Sequence, residues 1–116
     1  MGYGKLPQTD TELFAALLDS LKDPFLFADT GHTIRYMNSA AVSHYKEGVA
    51  LIGRSLLDCH NARSSGIIKE TLRALEAGED ERLISENETQ LIFMRAVRGR
   101  DRRLLGYYER YQERTG

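Results

Sequence analysis

The chain has a single cysteine, Cys59, so it has no route to an intrachain disulfide or a cysteine-rich zinc site, and a lone thiol fits a reducing cytoplasm. Net charge is almost absent: 16 Lys and Arg against 17 Asp and Glu leave -1, too little to attract nucleic acid through a global field. Arg95, Arg98, Arg100, Arg102 and Arg103 form a local basic cluster, which reads as a solvated hairpin tip. No apolar run approaches the roughly 20 residues that cross a bilayer, and no basic segment followed by an apolar stretch opens the chain, so neither a membrane span nor export is expected. Internal repeats, low-complexity tracts and linker-like stretches are missing too. Catalytic signatures are equally scarce. There is no His-x-x-x-His, no Gly-x-Ser-x-Gly and no phosphate-cradling glycine loop, and Gly2-Tyr3-Gly4 follows no strand. Cys59 beside His60 resembles a thiol-base pair in composition only, because adjacent loop residues seldom point at each other. The fragment is therefore not expected to be an enzyme.

What is present suits one small domain. A chain of 116 residues with 41% hydrophobic and 28% charged residues buries roughly two-thirds of its unfolded surface in a single modest core. Residues 1–8 read as a loose lead-in and residues 9–116 as the domain. Thr9-x-x-Glu12 matches a capping box, and Leu13, Phe14, Leu17, Leu18 and Leu21 make one apolar helical stripe that Pro24 ends. Residues 25–29 and 33–37 read as a β-hairpin around Asp29-Thr30-Gly31-His32. Asn38 caps a short helix reaching about Tyr45, and residues 46–61 mix one-turn helices with loops, where chemistry is most readily housed. Ser64 or Ser65 caps a longer helix striped by Ile68, Leu72 and Leu75 and ended at Gly78. Residues 82–87, 90–98 and 102–113 then read as three strands joined by turns at Asn87-Glu88 and at residues 99–101. The sum is an α+β domain: a five-stranded antiparallel sheet with helices packed on one face and an amphipathic N-terminal helix. A sheet covered in this way can enclose a ligand pocket.

Several segments resemble the PAS family of sensor domains. GRSLLDCH, from Gly53 to His60, is similar to the Gly-Arg followed by Cys-His of one bacterial PAS subfamily. IIKETLRALEAGE resembles that subfamily's next helix, and AVRGRDRRLLGYYERYQERT its closing hairpin, including Leu105-Gly106. DPFLFADTGHTIRYMNSAAVSHY is similar to the PAS opening, with Asn38 as the capping Asn. One departure lies at the end, where Glu113-Arg114-Thr115 stands in place of the Asp-x-Thr that couples many PAS cores to an output helix. The resemblance implies a sensory or dimerising module of a bacterial cytoplasmic signalling protein, cut from a longer chain. It would relay its state past Gly116 to an output domain such as a diguanylate cyclase or histidine kinase.

Within that frame Cys59 and His60 are the sharpest candidates for a pocket site, with Tyr36, Ile68 and Leu72 as further pocket residues. If the group is haem, His60 is the preferred axial ligand, Met94 the opposite ligand and Cys59 an alternative thiolate. Ile92, Met94 and Ala96 share a strand face, so Met94 reaches a pocket only if that face is the inner one. A flavin or a chromophore attached to Cys59 is a weaker fit, since LDCHNARSS lacks the flavin-binding motif around the cysteine. Tyr36, Tyr45, Tyr107, Tyr108 and Tyr111 could offer phenol groups to a ligand, and Arg35 or Arg95 could pair a ligand carboxylate. His32 and His44 are expected at the surface. Leu13, Phe14, Leu17 and Leu21 are the best homodimer contact, and a pure dimerisation module without ligand is the second alternative to a ligand sensor.

Overall fold

The computed structural model describes residues 9–114. Its elements are α1 (Thr9–Asp19), β1 (Leu26–Asp29), β2 (Ile34–Met37), α2 (Ser39–His44), two one-turn 3₁₀ helices (Gly48–Leu51 and Leu56–Cys59), α3 (Ala62–Glu76), β3 (Glu81–Glu86), β4 (Gln90–Arg98) and β5 (Leu104–Glu113). The strands form one antiparallel sheet in the order β2-β1-β5-β4-β3. An N-terminal hairpin and a C-terminal meander are thus joined by the pairing of β1 with β5. This is the α+β architecture expected.

The strand pairing decides which side chains face inward. Met94 lies opposite Glu109, Ile92 opposite Tyr111 and Ala96 opposite Tyr107, so period-two alternation puts all six on one face. Met94 and Tyr107 are fully buried there with Leu26, Ala28, Ile34, Leu56, Ile68, Leu72 and Leu75, which identifies the inner face. α3 covers it by packing on β3, β4 and β5. The outer face carries Phe25 stacked on Tyr108 at 4.5 Å. Beside them the Arg110 guanidinium lies 4.2 Å from the centre of the Phe93 ring and grips Glu81 through two hydrogen bonds of 3.0 and 2.8 Å. Those bonds, with one from Arg95, hold the Glu81 carboxyl below its ordinary pKa.

Two sequence features acquire structural reasons. Gly53 has a φ of 93° and donates its N–H to the Ile34 carbonyl at 2.7 Å. Residues 53–56 run beside β2 through further bonds from Ile34 N–H to Arg54 and from Leu56 N–H to His32, so Gly53-Arg54 covers an edge strand. Gly106 lies where β5 meets β1: a Cβ there would collide with the Ala28 carbonyl and approach the Phe27 ring to 2.6 Å. Only glycine fits.

Other expectations are corrected. α1 ends at Asp19 rather than running to Pro24, because Ser20 folds back and its hydroxyl donates to the Leu17 carbonyl at 2.6 Å. α3 is capped by Asn61, not Ser64 or Ser65: the Asn61 side chain accepts from Ser64 N–H at 2.8 Å, and both serines sit in the helix. β3 starts one residue earlier than expected, and β5 starts at Leu104 because Arg102, with a φ of 69°, belongs to the turn. The basic cluster is not simply a solvated tip. Arg98 reaches back to donate to the Leu75 and Glu79 carbonyls at 2.7 and 2.8 Å, satisfying the C-terminal end of α3, while Arg95 pairs with Glu81. His32 is not at the surface: it is half-buried and its ring shares a 2.8 Å hydrogen bond with the Tyr107 hydroxyl. Burial, assisted by Lys69, lowers its pKa. His44 is exposed as expected. The lead-in at residues 1–8, the capping role of Thr9, and Thr115 with Gly116 fall outside the described residues. No helix among the described residues is long and apolar enough to cross a membrane.

Candidate functional site

Two cavities open between the sheet's inner face and the helical layer. The larger, about 540 Å³, lies between the start of α3 and strands β3 to β5, with Ile67, Ile68, Ile84 and Ile92 as apolar wall and Arg63, Ser64, Ser85 and Glu86 as polar lining. The smaller, about 250 Å³, lies between the sheet and the two 3₁₀ helices, against Leu26, Ile34, Tyr45, Leu51, Leu56, Cys59 and Tyr111. His60 and Glu109 line both, so they stand where the two spaces meet. The volume of the larger falls in the range of small-ligand sites.

The local sequence explains how these two side chains arrive there. Ser55 caps the second 3₁₀ helix by accepting from Leu57 N–H, and that turn delivers His60 to the gap before α3. The His60 Nδ1 lies 2.8 Å from the Leu56 carbonyl. A carbonyl only accepts, so Nδ1 carries the proton, and in the neutral ring Nε2 is left as an acceptor or metal ligand. Glu109 comes from the middle of β5, between Tyr107 and Tyr111 on the same face. No hydrogen bond or ion pair reaches its carboxylate among the described residues. Burial raises its pKa, with nearby His60 opposing the shift. Tyr45 and Tyr111 share a 3.2 Å hydroxyl contact beside it, and burial pushes both phenols above their ordinary pKa.

The sequence candidates separate into two groups. Cys59, His60 and Ile68 line the cavities, although the Cys59 thiol is in an exposed residue. Met94 and Leu72 are buried in the core and line neither cavity. Tyr36 lies away from them, its hydroxyl donating toward the Ala15 carbonyl and Asp19 at 3.4 and 3.3 Å. Among the tyrosines, Tyr45 and Tyr111 reach the smaller cavity, Tyr107 is in the core, and Tyr108 stacks on the outer face. Arg35 is exposed near Asp29, and Arg95 is engaged on the outer face by Glu81. Among the described residues no group of three or more His, Cys, Asp or Glu is placed to hold a metal ion. Were haem to bind, His60 is the residue that would hold it, whereas Met94 is buried in the core and lines neither cavity. Glu109 was missed by sequence reading. Its signal was the alternation Tyr107-x-Glu109-x-Tyr111, which places a charge among ring-bearing inner positions.

α1 sits apart from this site. Leu13, Phe14, Leu17 and Leu21 are each roughly half exposed. The helix is tied to the body through Asp19, whose carboxylate accepts from Ser39 N–H at 2.9 Å and from the Tyr36 hydroxyl at 3.3 Å, and through Asn38, a fully buried residue. Its side chain accepts from Phe25 and Ala41 N–H groups, both at 2.9 Å, and donates to the Leu18 and Asp23 carbonyls at 2.8 and 3.1 Å. One amide therefore caps α2 and joins it to the end of α1 and the entry to β1.

Comparison with known proteins gives a consistent picture. A family model described as PAS domain matches residues 14–113. No curated protein sequence matches the chain significantly. Among solved structures, a C-terminal domain from Streptococcus mutans is similar with a TM-score of 0.73 at 21% identity, covering 97% of this chain and 89% of that one. The PAS domain of BvgS from Bordetella pertussis gives a TM-score of 0.64 at 14% identity, covering 94% and 89%. A sensory box sensor histidine kinase from Vibrio cholerae gives 0.62 at 15% identity, covering 92% and 93%. At these identities the likeness concerns the fold.

Proposed function

This chain belongs to the PAS domain family, and on that premise we propose that it is the sensory module of a bacterial signalling protein, binding a small molecule between its sheet and α3. The observation that carries this reading is the cavity of about 540 Å³, in which four isoleucines stand beside six polar or charged residues, His60 and Glu109 among them. Occupancy would favour one arrangement of β5 and the helices around it, and the shift in population is the signal. The domain itself is read as non-catalytic. The signal would pass from the C-terminal end of β5 to an output domain such as a histidine kinase or diguanylate cyclase. The half-exposed stripe of Leu13, Phe14, Leu17 and Leu21 would join two copies into a homodimer.

The test is a thermal-shift screen of the purified chain against small organic molecules, repeated on Ile92→Trp, which fills the larger cavity. Ligands that raise the midpoint of the native protein and not of the folded variant support the reading. Hits that act equally on both place binding elsewhere and oppose it.

The His60 tautomer favours haem as a second reading, since the hydrogen bond from Nδ1 to Leu56 orients the ring and leaves Nε2 free to ligate. When bound, haem would supply redox or gas-binding chemistry, with His60 holding the iron and the isoleucine wall excluding water. A Soret band on adding haem that is lost in His60→Ala would support it. Protein that stays colourless with added haem would remove it.

A further inference from the structure

The two side chains that line both spaces, His60 and Glu109, each present a hydrogen-bond acceptor. Glu109 presents a carboxylate with no hydrogen-bond donor among the described residues, and His60 has already committed its Nδ1 proton to Leu56. The other carboxylate of the larger cavity, Glu86, is engaged by Arg114 at 2.8 Å. Arg63, the cation lining that cavity, is exposed on the first turn of α3 and forms no ion pair with Glu109. Glu109 is half-buried, and a carboxylate drawn partly out of water without a donor is held unfavourably. A ligand donor of opposite charge would relieve this.

We propose that the cavity is selective for small organic cations, with an amine or amidine nitrogen donating to the Glu109 carboxylate and an apolar body lying on Ile68, Ile84 and Ile92. This rests on the ligand-sensing reading and narrows it to a chemical class. An amidine matches a carboxylate by two parallel charge-assisted hydrogen bonds, and its remaining N–H groups can address the His60 Nε2 lone pair. An anion of the same size meets an unpaired like charge at the same wall, so charge repulsion and lost solvation discriminate against it. A neutral alcohol gains the apolar wall but donates only one hydrogen bond and brings no opposite charge.

The experiment uses the whole chain and three probes of similar size: benzamidine, benzyl alcohol and benzoate. Calorimetry near neutral pH gives the affinities, and methyl spectra of Ile68, Ile84 and Ile92 give the location. The expected result is that benzamidine binds about tenfold or more tightly than either other probe, and that Glu109→Gln removes this preference, weakening benzamidine far more than benzyl alcohol. Equal binding of the three probes, or benzamidine preference kept by a folded Glu109→Gln protein, overturns the proposal. Should that variant fail to fold, the order of the three probes on the unaltered chain decides. Shifts of the isoleucine methyls with no charge preference would sink the cation selectivity and leave the ligand cavity standing. No methyl shift with any probe would count against both.

Discussion

A methyl group at position 106 has no room. It would strike the Ala28 carbonyl and the Phe27 ring across the β1–β5 pairing, and both neighbours are held in the sheet. Gly106→Ala should therefore cost about 3 kcal/mol or more, as overpacking of a rigid site does, seen as a lower denaturant midpoint; an unchanged midpoint would show that the two strands can separate freely. Glu109 gives the opposite expectation. Its pKa is raised in the fold by burial, so the folded state holds the proton more tightly than the unfolded chain. Stability is then greatest below the ordinary glutamate pKa and declines as pH rises through the raised value. Removing the charge with Glu109→Gln should raise the denaturant midpoint of the unliganded protein near neutral pH, and the gain should vanish in acid, where the native carboxyl is already neutral. His60, Tyr45, Tyr107 and Tyr111 surround this group, so the same pH series on His60→Ala separates their contributions. A lower midpoint for Glu109→Gln at neutral pH would mean that the carboxylate has a donor. Glycine's role was visible in the sequence only as part of a resemblance, because close approach is a property of two strands and not of one. Glu109 lay in plain alternation with two tyrosines, yet without the sheet order nothing said which face of β5 was inward.

Among elements, α1 is loosely attached, since its apolar stripe is about half exposed and it is anchored by a few hydrogen bonds that Asn38 donates and Asp19 accepts. Asn38→Ala removes the cap of α2 and leaves the Leu18 and Asp23 carbonyls without that donor. A loss of about 2 to 3 kcal/mol is expected from cap and buried hydrogen bonds together, with faster amide exchange in α1 than in α3. Uniform exchange across both helices would contradict a hub role. If the stripe joins two copies, Leu17→Glu should convert a dimer into a monomer in sedimentation velocity without changing the circular dichroism spectrum; a native protein that is monomeric at high concentration would reject that role. Hydrophobic periodicity located α1, α3 and the strands to within a few residues, because those patterns are set by burial on one face. The ends were harder. Ser20 stopped α1 before Pro24 could, and Asn61 took the cap that Ser64 and Ser65 also had the chemistry to supply, choices decided by local backbone competition.

At the scale of the whole molecule, a hairpin, a helical layer and a meander leave space between sheet and α3, the proposed seat of signal reception. The α+β order was legible from sequence, and Cys59 and His60, singled out there, line the smaller cavity. Met94, Leu72 and Tyr36 were assigned to the pocket because strand and helix periodicity gives a face but not the depth along it; two of them fill the core, and Tyr36 lies near α1. The measurement that bears most directly on the account is a set of intermolecular nuclear Overhauser contacts between a bound small molecule and the isotopically labelled chain. The account predicts contacts to the methyls of Ile68, Ile84 and Ile92 and to the His60 ring. Contacts confined to α1 or to the Phe25 and Tyr108 face of the sheet would contradict it.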